Sequence, residues 1–303
     1  MKEKVNTEIS QTEYFSACYS LIEDAQYNCM LINKDKNRAF IEWLNTFSTE
    51  HIKCISISKK KNYEIACTEY AEGKYFLKFA RVTHKSVTNK VEDDFVPGTV
   101  RDYPNCKIFI DTKSQIMVIE KNTDVAADII KIKDVIAKVI SKDISSFGYT
   151  IYIELVTKVT DFWEYINENS KNLQAIEFTL VYPNFLEGFD SVKDFIKAFG
   201  GYNPQVITTK IENKDGHLKL PRNQKFINEA LGYASSGAGN WKVSAKGTKK
   251  LKSSEAVPNI NKLPTDISSL GEEQIERIND IFDSIKKISQ QNRIAGDKNE
   301  NQN

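Results

Sequence analysis

The sequence predicts an α+β protein whose core is led by a β-hairpin, on three observations. Two short apolar runs, residues 107–111 and Ile116–Glu120, flank the turn-forming tetrapeptide Thr112-Lys113-Ser114-Gln115. Val125, Ile129, Ile132, Ile136 and Val139 then recur at alternating spacings of four and three, the apolar stripe of one helix face. Strand-like and helix-like segments alternate from there to Gly200-Gly201, which gives the order β-β-α-β-α-β-α.

Ahead of that core, the pattern predicts a small α+β unit. Asp35 caps a helix whose apolar face is Phe40, Ile41, Leu44 and Phe47. Three segments rich in Ile, Cys, Tyr and Phe follow as strands: Ile52–Ser58, 62–70 and 74–82. Residues 83–101 lack periodicity and contain Pro97-Gly98, so they read as a loop or linker. Inside the core, Asn122-Thr123-Asp124 reads as the cap of the helix through Val139, and 149–156 as an alternating strand. Asp161 with Glu164 forms a capping box for a helix carrying Phe162, Trp163 and Ile166. Residues 175–182 make a strand ended by Pro183-Asn184, and Asp190 caps a helix bearing Val192, Phe195, Ile196 and Phe199 on one face.

The last third is looser. It holds a helix at 226–233, a Gly/Ser turn at 235–240 and an exposed β-ribbon at 241–252. Ser269 with Glu272 then caps a long helix with Ile275, Ile278, Phe282 and Ile285 at heptad-like spacing. Three segments result: an N-terminal unit (1–100), the core (101–204), and a region of basic ribbon, C-terminal helix and polar tail (205–303).

Composition narrows the function classes. Hydrophobic residues are 40% and charged residues 27%, ordinary values for a chain with a real core. The 42 basic residues nearly cancel the 41 acids, so a phosphate-binding role requires local clustering. Cys18, Cys29, Cys54, Cys67 and Cys106 form no CxxC pair and read as reduced thiols in strands. With only His51, His84 and His217 in addition, no metal site is expected, and no motif calls for a cofactor. The polar opening at 1–6 and the lack of an apolar run of about 20 residues predict a cytoplasmic protein with no membrane insertion.

Clustering is found between Gln205 and Ser254. Lys210, Lys214, Lys219, Arg222, Lys225, Lys242, Lys246, Lys249, Lys250 and Lys252 stand there against Glu212, Asp215 and Glu229. The stretch 241–254 has five lysines and no acid. Lysines along a ribbon can track phosphates by counterion release, and Trp241 or Tyr233 can stack a base. The competing reading is an edge strand guarded by lysine against aggregation. DNA, single-stranded included, is therefore the expected partner, met by Lys242, Lys246, Lys249, Lys250, Lys252, Trp241, Arg222 and Lys225.

Two alternatives stand beside it. Asp111-Thr112-Lys113 has the Asp-x-Lys form of a Mg²⁺ nuclease half-site, for which Asp93, Asp94 or Asp102 would supply the upstream acid; it also sits where the chain must turn. The C-terminal helix, with its Ile/Phe stripe, offers a dimer contact or a surface for a second subunit, unless it packs on its own sheet. Gly237-Ala238-Gly239 reads as a turn, not a phosphate loop, because a strand follows it and no helix opens there.

Residues 172–184 (Asn-Leu-Gln-Ala-Ile-Glu-Phe-Thr-Leu-Val-Tyr-Pro-Asn) resemble the strand and Pro-Asn step of an uncharacterised bacterial family of mobile elements and defence loci. The Gly-rich turn and basic ribbon at 236–249 are similar to that family's pattern, with Phe185 where an acid often follows the Pro-Asn step. The element order (helix 40–47, strands to Val82, hairpin 108–120, helix 124–139) resembles the RexA-like phage-exclusion proteins of lambdoid phages. That resemblance implies DNA binding, dimerisation and a role in defence, and carries over no functional residue.

Overall fold

The computed structural model describes residues 11–23, 36–59, 61–181, 189–202, 204–248, 251–264 and 271–297. The expected caps Asp35 and Ser269, the Pro183-Asn184 step with Phe185, and Lys249 and Lys250 lie outside these residues. The protein is α+β. In chain order the elements begin β1 (Gln11–Glu23), α1 (Lys36–Asn45), β2 (Ile52–Ser58), β3 (Lys61–Ala71), β4 (Lys74–Arg81), β5 (Thr83–Val91) and β6 (Asp94–Asp102). The core follows as β7 (Asn105–Asp111), β8 (Ile116–Glu120), α2 (Ile129–Ile144), β9 (Tyr149–Leu155), α3 (Val159–Glu168), β10 (Leu173–Val181) and α4 (Asp190–Ala198), in the predicted order. The remainder is β11 (Val206–Glu212), α5 (Lys225–Tyr233), β12 (Gly239–Ala245), β13 (Lys252–Ser253), β14 (Ile260–Pro264) and α6 (Glu272–Asp297).

Two compact units form, and they interleave along the chain where the sequence pattern suggests three consecutive segments. One contains 19–117 and 122–153, the other 1–18, 118–121 and 154–303, so β1, β8 and β9 are each divided between them.

The first unit is a meander with strand order β8-β7-β4-β3-β2. Its core is aliphatic and aromatic: Phe76 stacks on Phe109 at 4.9 Å, and Tyr63 on Phe79 at 5.2 Å. Helix α2 buries Ile132, Ile136 and Val139 of the predicted stripe, together with Ile140 and Ile144; Ile129 is half-buried and Val125 lies ahead of the helix. Its cap is not Asn122–Asp124. The helix starts a turn later, where Asp128 accepts the Lys131 N–H at 2.8 Å. That bond, first among its causes, holds the Asp128 carboxyl below its ordinary pKa. Of the described thiols Cys106 is buried, Cys18 and Cys67 are half-buried, and Cys54 is exposed.

Residues 83–101 are no linker. β5 and β6 pair along their whole length as a two-stranded arm, from Thr83 opposite Asp102 to Val91 opposite Asp94. Pro97 and Gly98 fit because a ribbon of two strands leaves an outward edge on each, so a missing N–H breaks no ladder. Register puts Val87, Val91, Val96 and Val100 on one face, and most of this face is exposed. An isolated two-stranded ribbon is marginal in water. Amide exchange across 83–102 should therefore run faster than in β3 and β4, as hydrogen-exchange mass spectrometry would record; equal protection would mean the arm is packed.

The second unit holds β14 beside β1 and a four-stranded sheet of order β11-β10-β12-β13. Helices α3, α4 and α5 bury one face of that sheet, with Phe162, Val192, Ile196, Ile227 and Leu231 over Ile176, Phe178, Leu180, Trp241 and Val243. The capping box expected at Asp161 is absent: α3 begins at Val159, after Lys158, with no side-chain cap. Asp190 is not the cap of α4 but its first residue, after Phe189; the helix is capped by a distant group, the buried Glu229 carboxylate, which takes the Ser191 and Val192 N–H groups at 2.6 and 3.2 Å. α6 runs along α5, and its stripe Ile278, Phe282 and Ile285 is buried inside the unit. The face expected as a dimer contact is thus covered by the chain itself. Their approach is close: a Cβ on Gly232 would lie 2.6 Å from the Asn292 carbonyl oxygen. Among the described residues, no helix is long and apolar enough to cross a membrane.

Candidate nucleic-acid interface

The first strand of the expected basic ribbon is in fact interior to the four-stranded sheet. β12 lies between β10 and β13, and its residues alternate buried and half-buried. Trp241, Val243 and Ala245 face the helices; Asn240, Lys242 and Ser244 face the other way. Trp241 is 0% exposed, with its ring 5.2 Å from Phe162 in an edge-to-face contact. It has no face to offer a base, so the expected stacking role is not available to it. Tyr233 is buried too. It donates its hydroxyl to the Val181 carbonyl at 2.8 Å, and burial pushes its pKa up.

Lys242 is also accounted for. On the open face of the sheet, Glu177 stands between Lys210 and Lys242 in register. Lys242 pairs with Glu177 at 3.0 Å, and Lys210 with Glu212 at 3.0 Å. This face is a set of matched charges, one pair across strands and one along β11, with a shallow groove of about 250 Å³ over it. Lys252 stands opposite Val243 at the sheet's edge, and Lys225 is exposed at the first position of α5.

The structure gathers the other bases at one end of the sheet. There β10 begins and β11 and β12 end. Lys246 N–H donates to the Asn172 carbonyl at 2.7 Å, and the Asn172 amide donates back to the Lys246 carbonyl at 3.0 Å. The N–H groups of Asn213 and Leu218 donate to the Gln174 and Leu173 carbonyls at 2.8 and 2.9 Å. Asn213 then shapes the turn by accepting the Asp215 N–H at 3.0 Å. Three chain segments meet at this end, bringing exposed Lys171, Lys214 and Lys246 together, and Lys246 Nζ reaches the Asp215 carbonyl at 3.3 Å.

From that corner, residues 217–224 run without regular structure to α3 and carry Lys219 and Arg222. The Arg222 guanidinium lies over the Trp163 ring at 5.1 Å and donates to Asn167 Oδ1 at 3.2 Å. Between this pair and the 218–221 strand of chain is an open cleft of about 350 Å³. The acids of the same segments are Asp161, Glu164 and Glu168 on α3, with Glu212 and Asp215, and Lys210 takes Glu212.

Of the sequence-predicted residues, Lys246 and Arg222 belong to this rim. Sequence reasoning misses Lys171, Trp163 and Asn167. Lys171 stands alone in its segment, and only strand pairing brings it beside Lys246.

The nuclease half-site is a turn. Asp111, 2% exposed, accepts the Lys113 and Ser114 N–H groups at 3.0 and 3.3 Å, the work of a β-turn aspartate. Lys113 pairs with Glu72 at 3.0 Å. Among the described residues no three His, Cys, Asp or Glu gather as metal ligands; Asp93, Asp94 and Asp102, the acids considered upstream, belong to the β5–β6 arm. No protein-family model matches the sequence, and no curated protein is similar to it at a significant level.

Proposed function

We propose that the protein binds nucleic acid, DNA in the first instance, through the basic rim at the end of the four-stranded sheet. One observation carries the proposal: strand pairing brings Lys171, Lys214 and Lys246 from three segments to one end of the sheet, and the chain leaving that end carries Lys219 and Arg222 to a cleft with an aromatic–cation wall. The lysines of the open sheet face are bound to carboxylates; those of the rim project from turns. Phosphate neutralisation by four or five such groups gives a log–log salt slope of about −4. Fluorescence anisotropy with labelled DNA across a salt series should show that slope. No binding at low salt would overturn the proposal. The resemblance to phage-exclusion proteins supports extending the proposal to a defence role, which a plaque assay in cells with and without the gene would test. A second reading, protein interaction with a defence partner, is favoured by the exposed valine face of the β5–β6 arm.

A further inference from the structure

We infer that the cleft beside α3 receives one unstacked base of a single strand, which makes single-stranded nucleic acid the preferred ligand of the rim. This inference rests on the proposed nucleic-acid binding and specifies its substrate class.

The cleft has the make-up of a base site. Its apolar walls are Ile166, Leu173, Leu218, Leu220 and Pro221, and no acid lines it. Its volume of about 350 Å³ falls in the range of small-ligand clefts, about 300–1,000 Å³. The cation in it is planar and fixed. Arg222 is clamped between the Trp163 ring and Asn167 Oδ1, which holds the guanidinium against the indole. Bases of single strands stack on aromatic rings and on guanidinium planes alike. Lys219 is exposed at the cleft, and Lys214 and Lys246 stand at the sheet end where the same segment begins, along the path of a phosphate backbone. A duplex keeps its bases paired and stacked inside the helix, so it can meet the lysines but cannot fill the cleft.

The chain carries its own reporter. Trp43 and Trp241 are 0% exposed, and Trp163 is the third and last tryptophan, half-buried at the cleft. Quenching of tryptophan emission on binding therefore reports on the cleft.

The experiment uses the full chain with three probes: oligo(dT), a strand of the same length made wholly of abasic sites, and a duplex. An oligo(U) arm distinguishes ribose from deoxyribose. The expected result is binding of oligo(dT) about tenfold tighter than of the abasic strand, the worth of one stacked base, and tighter than of the duplex, with emission quenched by oligo(dT) and by neither the abasic strand nor the duplex. Arg222→Lys keeps the charge but loses the plane, and should bring the ratio of the two affinities towards one. Trp163→Phe should abolish the quenching. Equal affinity for the stacked and abasic strands, with no quenching by either, would overturn the base site and leave the rim. Failure of every probe to bind at low salt would overturn the rim as well.

Discussion

Replacing Trp241 with alanine should destabilise the protein by about 3–5 kcal/mol, the cost of emptying a fully buried Trp site. The ring sits at the centre of the second unit's core, against Phe162, with Phe178 and Val243 in the same cluster. Urea unfolding would measure the loss. Trp241→Phe should recover most of it. Among the described residues the indole Nε1 has no hydrogen-bond partner, so losing it breaks no bond there, and an aromatic ring remains to meet Phe162. Nucleic-acid affinity of Trp241→Phe should be that of the wild type. A base-stacking Trp241 would give the reverse pattern: a stable alanine variant with weakened binding.

That contrast shows what is legible in the sequence. The alternation Trp241-Lys242-Val243-Ser244-Ala245 is the signature of a strand with one buried face, and it is plain in the residues. Counting lysines along the chain ignores it. A lysine's place in sequence says little until its face is known, and its face says little until its cross-strand neighbour is known. Glu177 lies 65 positions from Lys242, and no local pattern links them. The same reason hides the rim, because Lys171 and Lys246 meet only through the pairing of β10 with β12. Elements with strong local periods are legible: the hairpin at Asp111, the α2 stripe from Ile129 onward and the α6 stripe stand where the spacing puts them. The β5–β6 arm is not, because Pro97-Gly98 breaks a central strand and is harmless in a free ribbon. Gly239 shows a further limit. It reads as a turn glycine, yet the pairing requires it: a Cβ there would lie 2.0 Å from the Thr179 carbonyl oxygen on β10.

The pairing also separates lysines that look alike in the sequence. Lys214→Glu with Lys246→Glu should weaken DNA binding about 10–100-fold at moderate salt and flatten the salt slope by about two, one for each phosphate left without its lysine. Both side chains belong to turns at the rim, so the double variant should unfold as the wild type does. Lys242→Ala should leave affinity nearly unchanged, because its ammonium is already matched by Glu177 at 3.0 Å on a half-buried sheet face. To meet a phosphate it would have to leave that carboxylate, and the net charge offered there is small. Anisotropy titrations of the three proteins at several salt concentrations decide the matter. If Lys242→Ala weakened binding as much as the rim variant, the ligand would lie across the open face of the sheet. Binding by charge would then survive as a property of the protein, and the end of the sheet would no longer be its site.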